Sequence, residues 1–163
     1  MPTIEEELQT AEIKDQHRRA FLNILFTAHY IQNIQRQMLE PFGITGTQYN
    51  VLRILRGQCS QCLPTYSIKD RMIERNCDAS RVVDRLMAAG LVVREACPND
   101  KRSTLVKITQ AGLDLIDTVE PVVSSSHGMM GISPDEAVEL NRLLDKVRLD
   151  GFDVQNTEGS TCS

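Results

Sequence analysis

Aromatic residues, tryptophan above all, and long apolar runs are scarce in this chain of 163 residues. Phe, Tyr and Trp together make 4% of the sequence and Trp is absent, so the core has to be built from aliphatic side chains. No apolar run approaches the length of about 18 residues that a membrane span needs. The acidic segment 1–7 lacks the basic and then apolar pattern of a signal peptide. These absences predict a cytoplasmic protein whose five cysteines are thiols rather than disulfides.

Signatures of catalysis are missing as well. The sequence has no phosphate-binding glycine loop, no nucleophile motif and no paired carboxylates on a recognisable scaffold. We therefore expect no enzyme activity, no cofactor and no metal site. Hydrophobic residues make 41% and charged residues 25%, which is typical of a folded chain, and the length suits a single domain over residues 1–150. The polar segment 151–163 is predicted to be a disordered tail.

Charge is distributed unevenly along the chain, although the net charge is only −4. Between Arg53 and Lys107, eleven basic residues stand against six acidic ones, a net charge of +5, whereas the remainder carries −9. A basic centre between acidic ends indicates a polyanionic partner. Taken alone, the same pattern also fits solvated helix faces.

The N-terminal part is predicted to form a long amphipathic helix. Residues 8–39 contain neither glycine nor proline, and apolar residues recur there at intervals of three and four, from Phe21 to Met38. At about 1.5 Å per residue such a helix runs about 45 Å, which is longer than the core of a small domain can cover. Part of its apolar stripe is therefore expected to contact a second chain. The last helix, which is expected to begin at a second capping box, Ser133–Glu136, carries a similar stripe of Leu140, Leu143, Leu144 and Val147.

The centre of the chain is predicted to form three short helices. A capping box of Thr45 and Gln48 begins the first, and the second runs roughly from Tyr66 to Glu74. Asn76 is the candidate N-cap of the third helix, and Gly90 ends it because glycine tolerates a positive φ. The third helix buries Ala79, Val82, Val83 and Leu86.

A β-hairpin is expected after the third helix. Two segments of strand character, 91–96 and 104–108, flank a turn at Pro98–Lys101. Thr109 is the expected cap of the next helix, which Pro121 and the serines after it interrupt.

The predicted fold class follows from this order of elements. It is mainly α with a small β-hairpin wing: a winged helix-turn-helix DNA-binding lobe at about 44–109, flanked by N- and C-terminal helices at about 8–40 and 110–149. In such a lobe the second helix of the pair enters the major groove and the hairpin reaches the flanking backbone or minor groove. Arg81 and Arg85 are spaced to project together toward guanine edges or phosphates. Taken alone, they could equally pair with Asp78 and Asp84 on a solvated helix.

Four motifs follow one another between residues 44 and 112. They are Ile44-Thr45-x-x-Gln48-x-x-Val51-Leu52, Ser80-Arg81-Val82-Val83-Asp84-Arg85-Leu86-x-x-x-Gly90-Leu91-Val92, Pro98-Asn99-Asp100-Lys101-Arg102 and Val106-x-Ile108-Thr109-x-x-Gly112. In this order and spacing they resemble the MarR family of bacterial transcription regulators. The resemblance implies a homodimer built by the first and last helices. It also implies that the partner is double-stranded DNA with an inverted-repeat operator.

Particular DNA contacts are implied by the same resemblance. Asp100 would orient Arg102, and Arg102 would enter the minor groove from the tip of the wing. The full set of expected DNA-binding residues is Thr65, Ser67, Cys77, Ser80, Arg81, Arg85, Asp100, Lys101 and Arg102. Cys77 and Asp78 stand where small hydroxyl residues are common in the family, which leaves open which bases are read.

Two kinds of signal are considered for release from DNA. A cleft for a small aromatic or lipophilic ligand is implied by the resemblance, and its candidate lining residues are His17, Phe21, Tyr30 and Tyr49. The alternative is that Phe21 and Tyr49 are core residues and that His17 lies on the surface. An oxidant would act on Cys59, Cys62 or Cys77. The alternative is that these thiols have no functional role.

The predicted function is a sequence-specific DNA-binding transcription regulator, a homodimeric repressor released by one of these signals. Its rivals are a thiol-based redox protein that uses Cys59 and Cys62, and a dimeric adaptor without DNA binding.

Overall fold

The computed structural model describes residues 2–58, 62–96, 104–127 and 131–150. Its elements are α1 (Ile4–Glu7), α2 (Gln16–Leu39), a 3-10 turn (Glu40–Phe42), α3 (Gly46–Arg56), β1 (Leu63–Pro64), α4 (Thr65–Arg71), α5 (Ala79–Ala88), β2 (Val92–Ala96), β3 (Thr104–Ile108), α6 (Gln110–His127) and α7 (Pro134–Asp150). The chain divides into two compact units, residues 1–124 and 125–163. None of the helices within these ranges is long and apolar enough to cross a membrane.

The core lies in the first unit, among the end of α2, the helices α3, α4, α5 and α6, and the sheet. Its fully buried side chains are aliphatic: Leu39, Leu52, Ile68, Leu86, Ile116, Val51, Val83, Val92, Val106 and Val119. Tyr49 is the one aromatic residue that is buried in the described part of the chain. The expectation of an aliphatic core is thus confirmed. Burying such side chains is the main favourable term that holds the lobe together.

The helix α2 starts later than predicted, at Gln16 rather than near residue 8. Asp15 caps it, because its carboxylate accepts hydrogen bonds from the backbone N–H groups of His17 at 2.9 Å and Arg18 at 3.4 Å. Before this cap, Gln9 adopts a positive φ of 50°, and the short helix α1 is a separate element. The absence of glycine and proline permits a helix without requiring one, and the cap at Asp15 decides where it begins.

The turn between α4 and α5 is held against α3. The helix α4 ends at Arg71, before the predicted Glu74. The backbone N–H of Ile73 donates to Asn50 Oδ1 at 3.1 Å, and the Thr47 hydroxyl donates to Glu74 Oε2 at 3.0 Å. Two bonds to α3 therefore fix the turn that places α5.

The N-cap of α5 is Asp78, so the prediction of Asn76 was wrong. The Asp78 carboxylate accepts from the backbone N–H groups of Ser80 at 3.1 Å and Arg81 at 3.3 Å. A negative charge at this end of the helix is stabilised by the helix dipole, which favours aspartate over asparagine. At the other end Gly90 has a φ of 71°, and the Leu91 N–H reaches Leu86 O at 2.9 Å, as predicted for a glycine-terminated helix.

The sheet has three antiparallel strands in the order β1-β3-β2, one more than the predicted hairpin. The hairpin strands pair in register from Val92 with Ile108 to Ala96 with Thr104. The additional strand β1 pairs Leu63 with Val106. It escaped prediction because two residues show no alternation, and their pairing partner lies far away in sequence.

The end of the wing is joined to the end of α5 through Thr109 and Gly112. The Thr109 hydroxyl donates to Gly90 O at 2.8 Å and accepts from Gly112 N at 3.1 Å, which confirms Thr109 as the cap of α6. A Cβ on residue 112 would collide with the carbonyl oxygen of Leu91 and lie 2.7 Å from Ile108 Cγ1. This close approach explains why the motif needs threonine and glycine at that spacing.

Pro121 does not interrupt α6, contrary to prediction, because the helix continues to His127. The flanking residues Val119 and Val123 are both buried, so packing on either side holds the helix in place despite the lost backbone hydrogen bond. In the second unit, the capping box before α7 is confirmed. Ser133 N donates to Glu136 Oε2 at 2.7 Å, and Glu136 N donates to Ser133 Oγ at 3.2 Å.

Candidate nucleic-acid interface

The exposed face of α5 carries the two arginines expected to contact nucleic acid. Ala79, Val83 and Leu86 are buried against the core, while Arg81 and Arg85 are exposed. A spacing of four residues places two side chains on the same side of a helix. The helix therefore presents two guanidinium groups to the solvent from a rigidly packed support.

The two acidic residues near these arginines interact with other groups. Asp78 caps the helix, and Asp84 Oδ1 pairs with Arg94 Nη1 of β2 at 2.6 Å. Within the described ranges neither Arg81 nor Arg85 has an ion-pair partner. The alternative in which Arg81 and Arg85 form ion pairs with Asp78 and Asp84 does not match this geometry.

A groove of about 500 Å³ lies between the starts of α4 and α5. It is lined by Thr65, Tyr66, Lys69, Asn76, Cys77, Asp78, Ala79 and Ser80. Of the residues predicted for DNA contact, Thr65, Cys77 and Ser80 meet here, whereas the half-buried Ser67 does not line it.

The sequence prediction missed Tyr66, Lys69 and Asn76 as residues of this surface. All three are exposed, and Tyr66 keeps 68% of its surface accessible. A signal was available for Tyr66 and Lys69. The buried Ile68 and Met72 define the inner face of the segment, which leaves those two side chains on its outer face. A tyrosine hydroxyl and a lysine ammonium can both donate to phosphate oxygens.

The tip of the wing, with Asp100, Lys101 and Arg102, lies outside the described residues. The strands that lead to the tip are described up to Ala96 and from Thr104.

The cysteines are not brought together as a site in the described part of the chain. The half-buried Cys62 thiol donates to Glu95 Oε2 at 3.4 Å, and Cys77 lines the groove, while Cys59 lies outside the described residues. Burial and the adjacent Glu95 carboxylate raise the pKa of the Cys62 thiol, which disfavours the reactive thiolate. The described ranges also contain no group of three metal-ligating side chains.

The four candidate ligand residues are not gathered in one cleft. His17, Phe21 and Tyr30 are exposed on α2, and Tyr30 follows His17 by thirteen positions, which correspond to about 20 Å of helix. Tyr49 is buried in the core, where the guanidinium of Arg53 lies 5.9 Å from its ring centroid. Burial raises the pKa of the Tyr49 phenol.

Ion pairs connect α3 with α6. Arg56 Nη2 lies 2.8 Å from Asp117 Oδ1, and Arg56 also pairs with Glu120. Arg53 Nε lies 3.6 Å from Glu120 Oε1. The helix that supports the turn before α5 is thus linked by charge to the helix that follows the wing.

Large apolar side chains are exposed on both α2 and α7. On α2 they include Phe21, Leu25 and Ile31, which retain 48%, 54% and 46% of their surface. On α7 they include Leu140, Leu143 and Val147, which retain 39%, 44% and 41%. Apolar stripes of this extent are usual at protein–protein interfaces.

Comparisons with known proteins agree with this architecture. A family model described as MarR family matches residues 44–104. The chain is 32% identical over 114 residues to the multiple antibiotic resistance protein MarR of Escherichia coli (strain K12), covering 68% of this chain and 78% of that protein. It is 30% identical to the HTH-type transcriptional regulator YkoM of Bacillus subtilis, covering 87% and 88% of the two chains. Among solved structures, a mutant of MarR from Escherichia coli complexed with operator DNA aligns with a TM-score of 0.71 at 27% identity, covering 84% of this chain and 99% of that one.

Proposed function

This chain belongs to the MarR family of transcription regulators, and on that premise we propose that it is a homodimeric repressor that binds operator DNA through α5 and the wing. The observation that carries the proposal is the pair of exposed guanidinium groups of Arg81 and Arg85 on α5, which have no ion-pair partner among the described residues. A recognition helix in the major groove needs such groups, because arginine pairs with guanine edges and with phosphates. The MarR mutant of similar fold was solved on operator DNA, which supports the same use of this lobe.

The second part of the proposal is a symmetric dimer. The exposed apolar stripes of α2 and α7 support it, since each would be costly to leave in water and each fits a second copy of the chain. Two-fold symmetry then requires an inverted-repeat operator whose half-sites lie about 34 Å apart, one turn of duplex. Footprints on a single asymmetric half-site would contradict the symmetric dimer.

The third part is release of the repressor by a chemical signal. An oxidant that modified Cys77 would add bulk to the groove beside Ser80, on the face proposed for DNA. A small aromatic or lipophilic ligand would find exposed aromatic surface at Phe21 and Tyr30. Operator binding measured after peroxide, after reduction and with a panel of small aromatic compounds distinguishes the two signals.

One experiment tests the proposed function directly. Duplexes are selected from genomic fragments by the purified protein, and their affinity is measured across a series of salt concentrations. Neutralised phosphates make the affinity fall steeply as salt rises, and the steepness reports the number of phosphate contacts. A protein that binds no duplex even at low salt would instead fit the adaptor hypothesis.

A further inference from the structure

The ion pair between Arg94 and Asp84 joins the wing to the recognition helix. Arg94 Nη1 and Asp84 Oδ1 lie 2.6 Å apart, and the two side chains retain 30% and 57% of their surface. Arg94 comes from the middle of β2, where it pairs with Val106 of β3. The sheet therefore determines where this guanidinium lies.

The position of Asp84 is electrostatically unfavourable on a helix that binds DNA. It follows Arg81 by three residues and directly precedes Arg85, so its carboxylate lies beside the surface proposed to meet phosphates. An unpaired carboxylate there would repel the DNA backbone. It would also attract Arg81, because oppositely charged residues at this spacing are neighbours on a helix.

We propose that Arg94 is a positioning residue for DNA binding, which neutralises Asp84 and so leaves Arg81 and Arg85 available to the duplex. This inference rests on the proposed function. Arg94 acts here through Asp84 rather than through a contact of its own with the DNA. Two rival roles are a structural link that holds the wing to α5, and a direct phosphate contact made by Arg94.

Asp84→Asn distinguishes neutralisation from a structural link. If Arg94 serves to neutralise Asp84, removing the carboxylate leaves nothing to neutralise, and Asp84→Asn binds the selected duplex at least as tightly as the native protein. If the pair is a structural link, Asp84→Asn breaks it and weakens binding as much as Arg94→Ala does.

The double variant separates neutralisation from direct contact. Arg94→Ala alone is expected to weaken binding about tenfold, because the unpaired Asp84 then attracts Arg81 and about one arginine contact with the DNA is lost. Adding Asp84→Asn restores the affinity to within about twofold of native, since the two effects are coupled through one pair. A double variant as weak as Arg94→Ala alone overturns the proposal and indicates that Arg94 touches the DNA itself.

A matched control removes the effect of overall charge. Asp70 is exposed on α4, so Arg94→Ala combined with Asp70→Asn has the same net charge as the double variant. Our proposal predicts no rescue by Asp70→Asn, and an equal rescue would overturn it in favour of a general charge effect. Circular dichroism and thermal unfolding confirm that each variant is folded. If Arg94→Ala is not folded, Arg94→Gln, which keeps most of the side-chain stem, takes its place.

Failure of the proposed function is visible before any variant is made. If the native protein binds no selected duplex, the proposed function fails and the role of Arg94 fails with it. If the native protein binds but the variants do not follow this pattern, only the role of Arg94 is overturned.

Discussion

Arg56 of α3 lies against Glu120 of α6, and the same carboxyl group faces Arg53 at 3.6 Å. The Glu120 carboxylate thus forms ion pairs with two arginines of α3, the helix that supports the α4–α5 turn. Glu120 retains 34% of its side-chain surface, so solvent weakens these pairs without cancelling them.

Glu120→Gln should lower the free energy of unfolding by about 1 kcal/mol, the upper range for partly exposed ion pairs. Urea denaturation at low and high salt measures the change, which should shrink as salt rises. Glu139→Gln is the matched control because it removes an exposed pair with Arg142 within a single helix, and its effect should be smaller. Equal effects of the two substitutions would show that the link between α3 and α6 stabilises the fold no more than an exposed ion pair within one helix does.

Gly112→Ala should destabilise the lobe by about 1 to 3 kcal/mol, as overpacking does. The added methyl group would meet the backbone carbonyl of Leu91, which cannot move without disturbing the end of α5. Thermal unfolding measures the loss. Gly57→Ala is the control, because a Cβ at that position meets its nearest atoms at 3.5 Å, an ordinary contact. A stable Gly112→Ala variant would refute our account of the Thr-x-x-Gly motif.

Local signals in the sequence predicted much of the lobe. The capping boxes at Thr45 and Ser133, the positive φ at Gly90 and the cap at Thr109 each depend on residues within one turn of chain. Such features can be predicted from the sequence because the interacting groups are neighbours along the chain. The fold class, a mainly helical winged helix, follows from their order and is confirmed.

Features that depend on distant partners were not predictable. The strand at Leu63 exists because Val106 lies beside it, and the pairing of Asp84 with Arg94 joins a helix to a strand. The continuation of α6 through Pro121 depends on tertiary packing of its neighbours. Periodicity within a segment carries no information on such contacts. It could place Tyr66 on the outer face of α4, but not in the groove that α4 forms with α5.

Asp78→Ala should destabilise the protein by about 1 kcal/mol, the usual loss for an N-cap. Asn76→Ala should change stability little, because Asn76 does not cap the helix in the structure. Chemical denaturation of both variants tests the assignment of the cap. Should Asn76→Ala prove the more damaging of the two, the cap has been assigned to the wrong residue.

The contact between α1 and α2 should depend on pH. Hydrogen bonds from Arg19, at 2.8 Å and 3.3 Å, hold the pKa of Glu5 below its ordinary value of 4.5. A lowered pKa in the folded state means that the contact contributes fully above pH 4.5 and is lost as pH falls through the lower value. The protection factors of the α1 amides, that is, the exchange rates of an unfolded chain relative to their own at the same pH, should therefore fall in that acidic range. In Glu5→Gln the exchange protection should be lower and nearly independent of pH across the same window.

Arg81→Ala should weaken binding to the selected duplex by about tenfold and reduce its preference over unrelated sequences, if Arg81 reads a base edge. If Arg81 contacts a phosphate instead, affinity should fall uniformly for all sequences and the salt slope should decrease by about 1. Titrations of matched and scrambled duplexes at several salt concentrations distinguish the two outcomes. Arg142→Ala removes an arginine of α7, outside the lobe, and should leave both quantities unchanged. Native affinity and preference in Arg81→Ala would exclude this side chain from the interface, and with it the observation on which the proposed function rests.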